Sequence, residues 1–348
     1  MRCKMLVAAL VLASAATVRA EDGLSKGTPD LKSATALAFG PKGLLFVGDS
    51  AGAAVFAIDT GDTKPAGDKP LNVDKLNAKI AAALGVSDKD VKINDVRVNP
   101  ASGNVFVGVS RGTGAGTPAL VKVARDGTVS AVALKDVRFS KVAIPNPATS
   151  GKGAPEVITQ LAFVDGKVIV AGLSSEQFAS TLRVIPFPFK EADKGAGIEI
   201  FHGAHGALET KSPIRTFVAY KVGKEDHIMA AYTCTPLVKI PVSDLKAGAK
   251  VKGTTIAELG NGNRPLDMIV YTKGGKDYLL MANSKHGVLK LPTTDFATAT
   301  PITARTGPAG IKAEAIKELA DVMQLDKLDD GHALLLLKSG DLKTVPLP

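Results

Sequence analysis

The sequence contains no tryptophan, and phenylalanine and tyrosine bring the aromatic content to only 5%. The first absence excludes any cofactor built from tryptophan. The second removes the interleaved stacking platforms that a nucleic-acid-binding face requires. Cysteine is almost as scarce: Cys3 lies at the extreme N-terminus, and Cys234 is the single thiol beyond it. One thiol allows no intrachain disulfide, no C-x-x-C-H haem attachment and no thiolate cluster for zinc or iron–sulfur. No segment beyond the N-terminus is apolar for eighteen residues, so no membrane insertion is expected. Basic residues outnumber acidic ones, 43 to 34, for a net charge of +9. Arg2, Lys4 and Arg19 account for three of those charges, and the remaining lysines are dispersed rather than striped. A nucleic-acid partner is therefore not expected.

What is present begins with an export signal. Arg2 and Lys4 form a basic start, Met5 to Ala16 is a short apolar stretch, and Val18-Arg19-Ala20 precedes Glu21. This pattern predicts a signal peptide over residues 1–20, cleavage before Glu21, and a single soluble domain over 21–348, secreted or periplasmic and monomeric.

Six segments then share one pattern of strand, turn, strand, strand. First strands are expected at Ala36-Leu37-Ala38-Phe39, Asp95-Val96-Arg97-Val98, Gln160-Leu161-Ala162-Phe163, Thr216-Phe217-Val218-Ala219, Asp267-Met268-Ile269-Val270 and Asp321-Val322-Met323-Gln324. Third strands are near-copies, among them Leu182-Arg183-Val184-Ile185-Pro186, Leu237-Val238-Lys239-Ile240-Pro241 and Leu289-Lys290-Leu291-Pro292. Units of four strands repeating at roughly fifty to sixty-five residues predict an all-β, six-bladed propeller of four-stranded antiparallel blades. Fourth strands are weaker, with Ile302 to Arg305 the candidate in the fifth unit. Val73 to Leu84 has helical spacing with Asn72 as its cap. Asp136 to Glu156 reads as a Pro/Gly-rich loop. The sixth unit lacks a fourth strand, and Gly23 to Ser33 is the segment expected to supply it and close the ring.

The run Phe39-Gly40-Pro41-Lys42-Gly43-Leu44-Leu45-Phe46-Val47-Gly48-Asp49, followed by Val55-Phe56-Ala57-Ile58-Asp59, resembles a blade of the NHL, YVTN and SMP-30-like group of propellers. The resemblance implies the fold. SMP-30-like lactonases carry a metal-binding glutamate near this first strand, where the present chain has Ala36, which argues against that activity. Quinoprotein propellers carry blade tryptophans that are missing here.

Two places could hold chemistry. Residues that begin the first strands fall at one height around the axis: Asp95, Gln160, Thr216, Asp267 and Asp321, with Ala36 as a gap. Carboxylates on one ring call for a cation or a basic neighbour, and calcium suits such oxygen ligands; capping and water-holding roles are equally open. The second place is the loop Phe201-His202-Gly203-Ala204-His205-Gly206-Ala207-Leu208-Glu209. His202 and His205 could share a transition metal, with Glu209 adding a carboxylate, or merely bond to nearby backbone. Arg215 follows at a strand start, and Gly260-Asn261-Gly262-Asn263-Arg264-Pro265 enters the next unit similarly. Arg215 and Arg264, with Glu209 and Asn263, are therefore the expected ligand-binding set, suited to an anion. Cys234 reads as a small turn residue, matching Ser50, Ser110 and Ser175. These features predict an exported binding protein with a polar ligand site at the channel mouth, its partner a small anionic molecule or a protein or peptide. The alternative is a metal-dependent hydrolase of lactonase or esterase type using the channel carboxylates and the histidine loop.

Overall fold

The structure is a computed structural model that describes residues 22–114, 116–149, 156–234 and 236–348. The expected signal peptide and the expected start at Glu21 lie outside the described residues. Among the described residues, no helix is long and apolar enough to cross a membrane.

Six antiparallel sheets stand radially as the blades of a propeller, numbered I to VI in chain order by their inner strands Ala36–Phe39, Val91–Val98, Gln160–Val164, Ile214–Val222, Pro265–Lys273 and Val322–Lys327. The second strands explain why the sheets stack. In Leu44–Asp49 every residue is buried, and Lys167–Leu173, Glu225–Tyr232 and Lys276–Asn283 are buried over most of their length. A strand with sheets packed on both faces reads as a continuous apolar run rather than an alternation. Near the entry to each inner strand the blades converge so closely that only small residues fit. A Cβ on Gly48 of blade I would fall 2.8 Å from Ile158 Cγ2 of blade III, and one on Gly108 of blade II 2.8 Å from the Ala34 carbonyl oxygen. Between blades I and III the seam is aromatic: Phe46 stacks on Phe163 at 5.2 Å and meets Phe187 edge-on at 5.3 Å.

The blades do not follow one another around the ring in chain order. The inner strand of blade I abuts those of blades II and III, and blade II abuts blade VI. Side-chain packing agrees: Phe106 and Leu120 of blade II share a core with blade I, while Leu334, Leu336 and Leu342 of blade VI share one with blade II. The circular order is therefore I, III, IV, V, VI, II. After blade II the chain returns to blade I and adds Val137–Ala143 as its fourth strand, paired along Ala54–Asp59. The Asp136–Glu156 stretch, expected to be a loop, thus contains a blade strand; its interruption by polar residues hid the pattern.

Ring closure also differs from expectation. The N-terminal segment does not complete blade VI: Ser25–Gly27 pairs with Val137–Ala143 as a fifth, outermost strand of blade I. The edge of blade VI is instead covered by residues 71–73. Val73 and Leu342 exchange both backbone hydrogen bonds at 2.8 Å, and the Leu71 N–H donates to Thr344 Oγ1. The helix that follows is Leu76–Leu84, shorter than expected. Asn72 does not cap it, because its Oδ1 accepts from the Thr344 N–H. The fourth strand of blade V is Glu314–Ile316, whereas Ile302 donates its N–H to Thr255 of blade IV.

Candidate functional site

The inner ring is stitched from blade to blade. Asp95 Oδ2 accepts from the Leu37 N–H at 2.7 Å, Gln160 Oε1 from Phe217 at 2.7 Å, Asp267 Oδ2 from Leu325 at 3.3 Å, and Asp326 Oδ2 from Val98 at 2.8 Å. In each case a side chain of one blade satisfies a backbone donor of its neighbour, where no ladder partner exists. Arg97 offsets part of the carboxylates' negative charge: its Nη1 lies 2.8 Å from Asp267 Oδ2 and its Nη2 3.3 Å from Asp95 Oδ1. The Arg97 side chain is 13% exposed. Burial works against its charge, yet Asp267, Asp95 and Asp326 raise its pKa above the ordinary guanidinium value. Burial pushes the Asp95 carboxyl up to about 7 against the pull of Arg97, and the neighbouring Asp267 adds to the push.

Asp95 and Asp267 are thus engaged by a cation belonging to the chain itself. Asp321 does not belong to the column. A β-bulge between Val322 and Gln324 shifts the register, so Gln324 pairs with Leu336 and takes the expected position. Asp321 lies outside the strand with a left-handed backbone (φ 56°). The members that sequence reasoning missed are Arg97 and Asp326, both inside strands whose alternation points them to the axis. Beyond them the C-terminal halves of the inner strands line a cavity of ≈ 450 Å³, walled by residues such as Phe39, Phe163, Val218 and Val270.

The histidine loop is a hairpin. Ala196–His202, the fourth strand of blade III, turns through residues 203–206 and pairs back with Ala207–Glu209. The His202 carbonyl accepts from the N–H groups of His205 and Gly206, which closes the turn. His202 pairs with Ala207 and Ile200 with Glu209, so His202 and Glu209 share a face one step apart. The two rings lie with centroids 3.9 Å apart, tilted by 36°. Glu209 Oε1 lies 2.6 Å from His205 Nδ1 and 3.0 Å from His202 Nδ1, and Oε2 accepts from Ser212 Oγ at 2.5 Å. Burial works to raise the Glu209 carboxyl, but Ser212 and both histidines outweigh it and hold it below its ordinary value. From the other side, Glu258 Oε1 accepts from the Gly203 N–H at 2.5 Å, an approach possible because a Cβ on Gly203 would sit 2.9 Å from Glu258 Cγ. Burial raises the Glu258 carboxyl even though Gly203 and the histidines pull the other way.

Arg215 is the bulged residue between Ile214 and Thr216, so it leaves the strand alternation and is re-aimed. It ion-pairs with Glu156, and its Nε donates to Thr233 Oγ1 at 3.1 Å. Arg264 is not at the matching position, which a bulge gives to Leu266. The two arginines are nevertheless close. Burial lowers the Arg264 pKa, and the Arg215 charge adds to that effect. Asn263 does not face a ligand. It is 1% exposed, donating to Asn283 Oδ1 at 3.0 Å and accepting from the Lys285 N–H at 2.9 Å, while its carbonyl accepts from the Cys234 N–H at 2.7 Å. It pins the 233–234, 260–264 and 283–285 turns into one surface. Cys234 is more than turn filler: its thiol stands beside the two histidines. The sequence held no signal for that grouping, because the histidines come from the outer strand of the adjacent blade.

No protein-family model matches the chain, and no curated protein does. Solved structures of similar shape include a chain of a mitotic checkpoint complex (8% identity, TM-score 0.41, covering 100% of this chain and 99% of that one). Another is a putative oxidoreductase, a glucose dehydrogenase of Thermus thermophilus (12% identity, TM-score 0.36, 92% and 99%). A third is the aldose sugar dehydrogenase of Streptomyces coelicolor in its PQQ-bound form (12% identity, TM-score 0.33, 92% and 97%).

Proposed function

We propose that this chain is an exported, monomeric binding propeller of the NHL-, YVTN- and SMP-30-like kind. Its ligand is a small anionic molecule, a carboxylate or a phosphate, captured between the turns that enter blades IV and V. One observation carries the reading: Arg264 stands in the field of Arg215, and among the described residues it forms no ion pair of its own. Two guanidinium groups and one carboxylate, Glu156, leave a net positive charge. A ligand anion would relieve their repulsion and accept a charge-assisted fork. Lys285 adds a further positive charge, its Nζ lying 3.4 Å from where a Gly262 Cβ would project. The three turns are already pinned by Asn263, so binding costs little loop ordering.

The hydrolase alternative draws no support from the channel carboxylates, which Arg97 and backbone amides occupy. The test is calorimetric titration with a panel of carboxylates and phosphates. Arg264→Gln should weaken the best ligand by roughly 10-fold to 100-fold, the loss of one charge-assisted hydrogen bond, while the melting temperature stays put because Arg264 forms no ion pair among the described residues. Glu156→Gln should tighten binding by freeing Arg215. Unchanged affinity in Arg264→Gln, or weaker binding in Glu156→Gln, overturns the reading.

A further inference from the structure

We infer that His202, His205 and Cys234 form a site for one borderline-soft divalent transition metal of the zinc class. Each residue offers one donor atom, and the three atoms lie within 4.8 Å of one another, close enough to share an ion. The elements that bring them together are unrelated in sequence: the histidines come from the hairpin on blade III, and the thiol from the turn after the second strand of blade IV.

An independent observation points to a missing ligand. His202 is 2% exposed, and neither ring nitrogen has a hydrogen-bond partner. Its Nδ1 lies 3.0 Å from Glu209 Oε1 but out of line for a hydrogen bond, so the contact is electrostatic only. Burying an imidazole without partners costs free energy that a coordination bond recovers. Glu258 Oε2 is likewise buried and unpartnered against the same hairpin.

The surroundings suit a metal. Glu209 reaches the Nδ1 side of both rings. For His205, whose Nδ1 hydrogen-bonds Glu209 Oε1 at 2.6 Å, this is the carboxylate–histidine arrangement that orients a ligating imidazole. A thiolate together with the Glu209 carboxylate balances a divalent charge. Two imidazoles and one thiolate select zinc or its neighbours over calcium or magnesium, which prefer oxygen. Cys234 holds a left-handed backbone at φ 63°, secured by its N–H bond to Asn263. The fixed turn presents the sulfur without further ordering.

The experiment uses Co²⁺ and Zn²⁺ alone with the full protein prepared free of metal. Co²⁺ should give a thiolate-to-metal charge-transfer band at one ion per chain, and Zn²⁺ should displace it. Cys234→Ser should abolish the band. Glu209→Gln should keep it but weaken affinity by about 10-fold to 100-fold, as second-sphere carboxylates do. In case Cys234→Ser does not fold, alkylation of Cys234 in the wild-type chain, read by peptide mass mapping, should slow when Zn²⁺ is added. Absence of the charge-transfer band in the wild type, its survival in a folded Cys234→Ser variant, or alkylation indifferent to Zn²⁺ overturns the assignment.

Discussion

Substituting Asp95 by asparagine tests the stitched ring directly. In the folded chain this carboxyl is pushed up to about 7 by burial, from an ordinary value of 3.8. Between those values the folded protein holds a proton that the unfolded chain has released. The neutral form's contribution to stability is therefore fully present below about pH 4 and is lost as pH rises toward 7. At ~1.4 kcal/mol per unit, the window is worth at most about 4 kcal/mol. Burial raises Asp326 as well, so its contribution has the same sign. Asparagine is uncharged throughout, and its oxygen can still accept from the Leu37 N–H. Its amide nitrogen then faces Arg97 and the Val96 N–H, which now meet Oδ1. The variant should therefore start less stable in mild acid and gain on the wild type as pH rises. Urea unfolding at constant m-value from about pH 4.5 to 7.5 reads the difference. Parallel pH profiles of the two proteins would refute the argument, since the titrating group would then lie elsewhere.

Arg97→Met should cost about 3–5 kcal/mol in urea unfolding, because it leaves buried carboxylates without their cation; a loss under about 1 kcal/mol would mean that water or protonation already relieves them. Val73→Pro deletes the N–H that Leu342 accepts and should cost about 1–3 kcal/mol, seen as a lower melting temperature. An unchanged melt would show that residues 71–73 do not secure blade VI.

The propeller was legible because its strongest signals are local. Apolar second strands and proline-ended third strands repeat along the chain, and each follows from packing within or beside one blade. Closure and ring order were not legible. Residues 71–73 pair with 342–344, and Val137–Ala143 returns to a blade begun long before, so neither pairing leaves a periodic trace. The same reasoning separates the site residues. His202, His205 and Glu209 lie within one hairpin, and their spacing alone suggested a common site. Cys234 and Glu258 join from blade IV, and only coordinates bring them in. In the channel, the acidic column was visible at Asp95 and Asp267, but single-residue bulges displaced Asp321 in favour of Gln324, and a bulge carries no reliable signature in one sequence.

The ring order I, III, IV, V, VI, II bears on how the molecule is made. As the chain emerges from the ribosome, blade I waits for its fourth strand until blade II has been synthesised. The edge laid down at residues 71–73 waits for blade VI. The contacts that lock the circle span up to 273 residues, so contact order is high and closure is necessarily a late event. Throughout synthesis the nascent chain keeps open edges and cannot commit to its final shape. Until the circle closes, those edges are open to pairing with the edges of other chains.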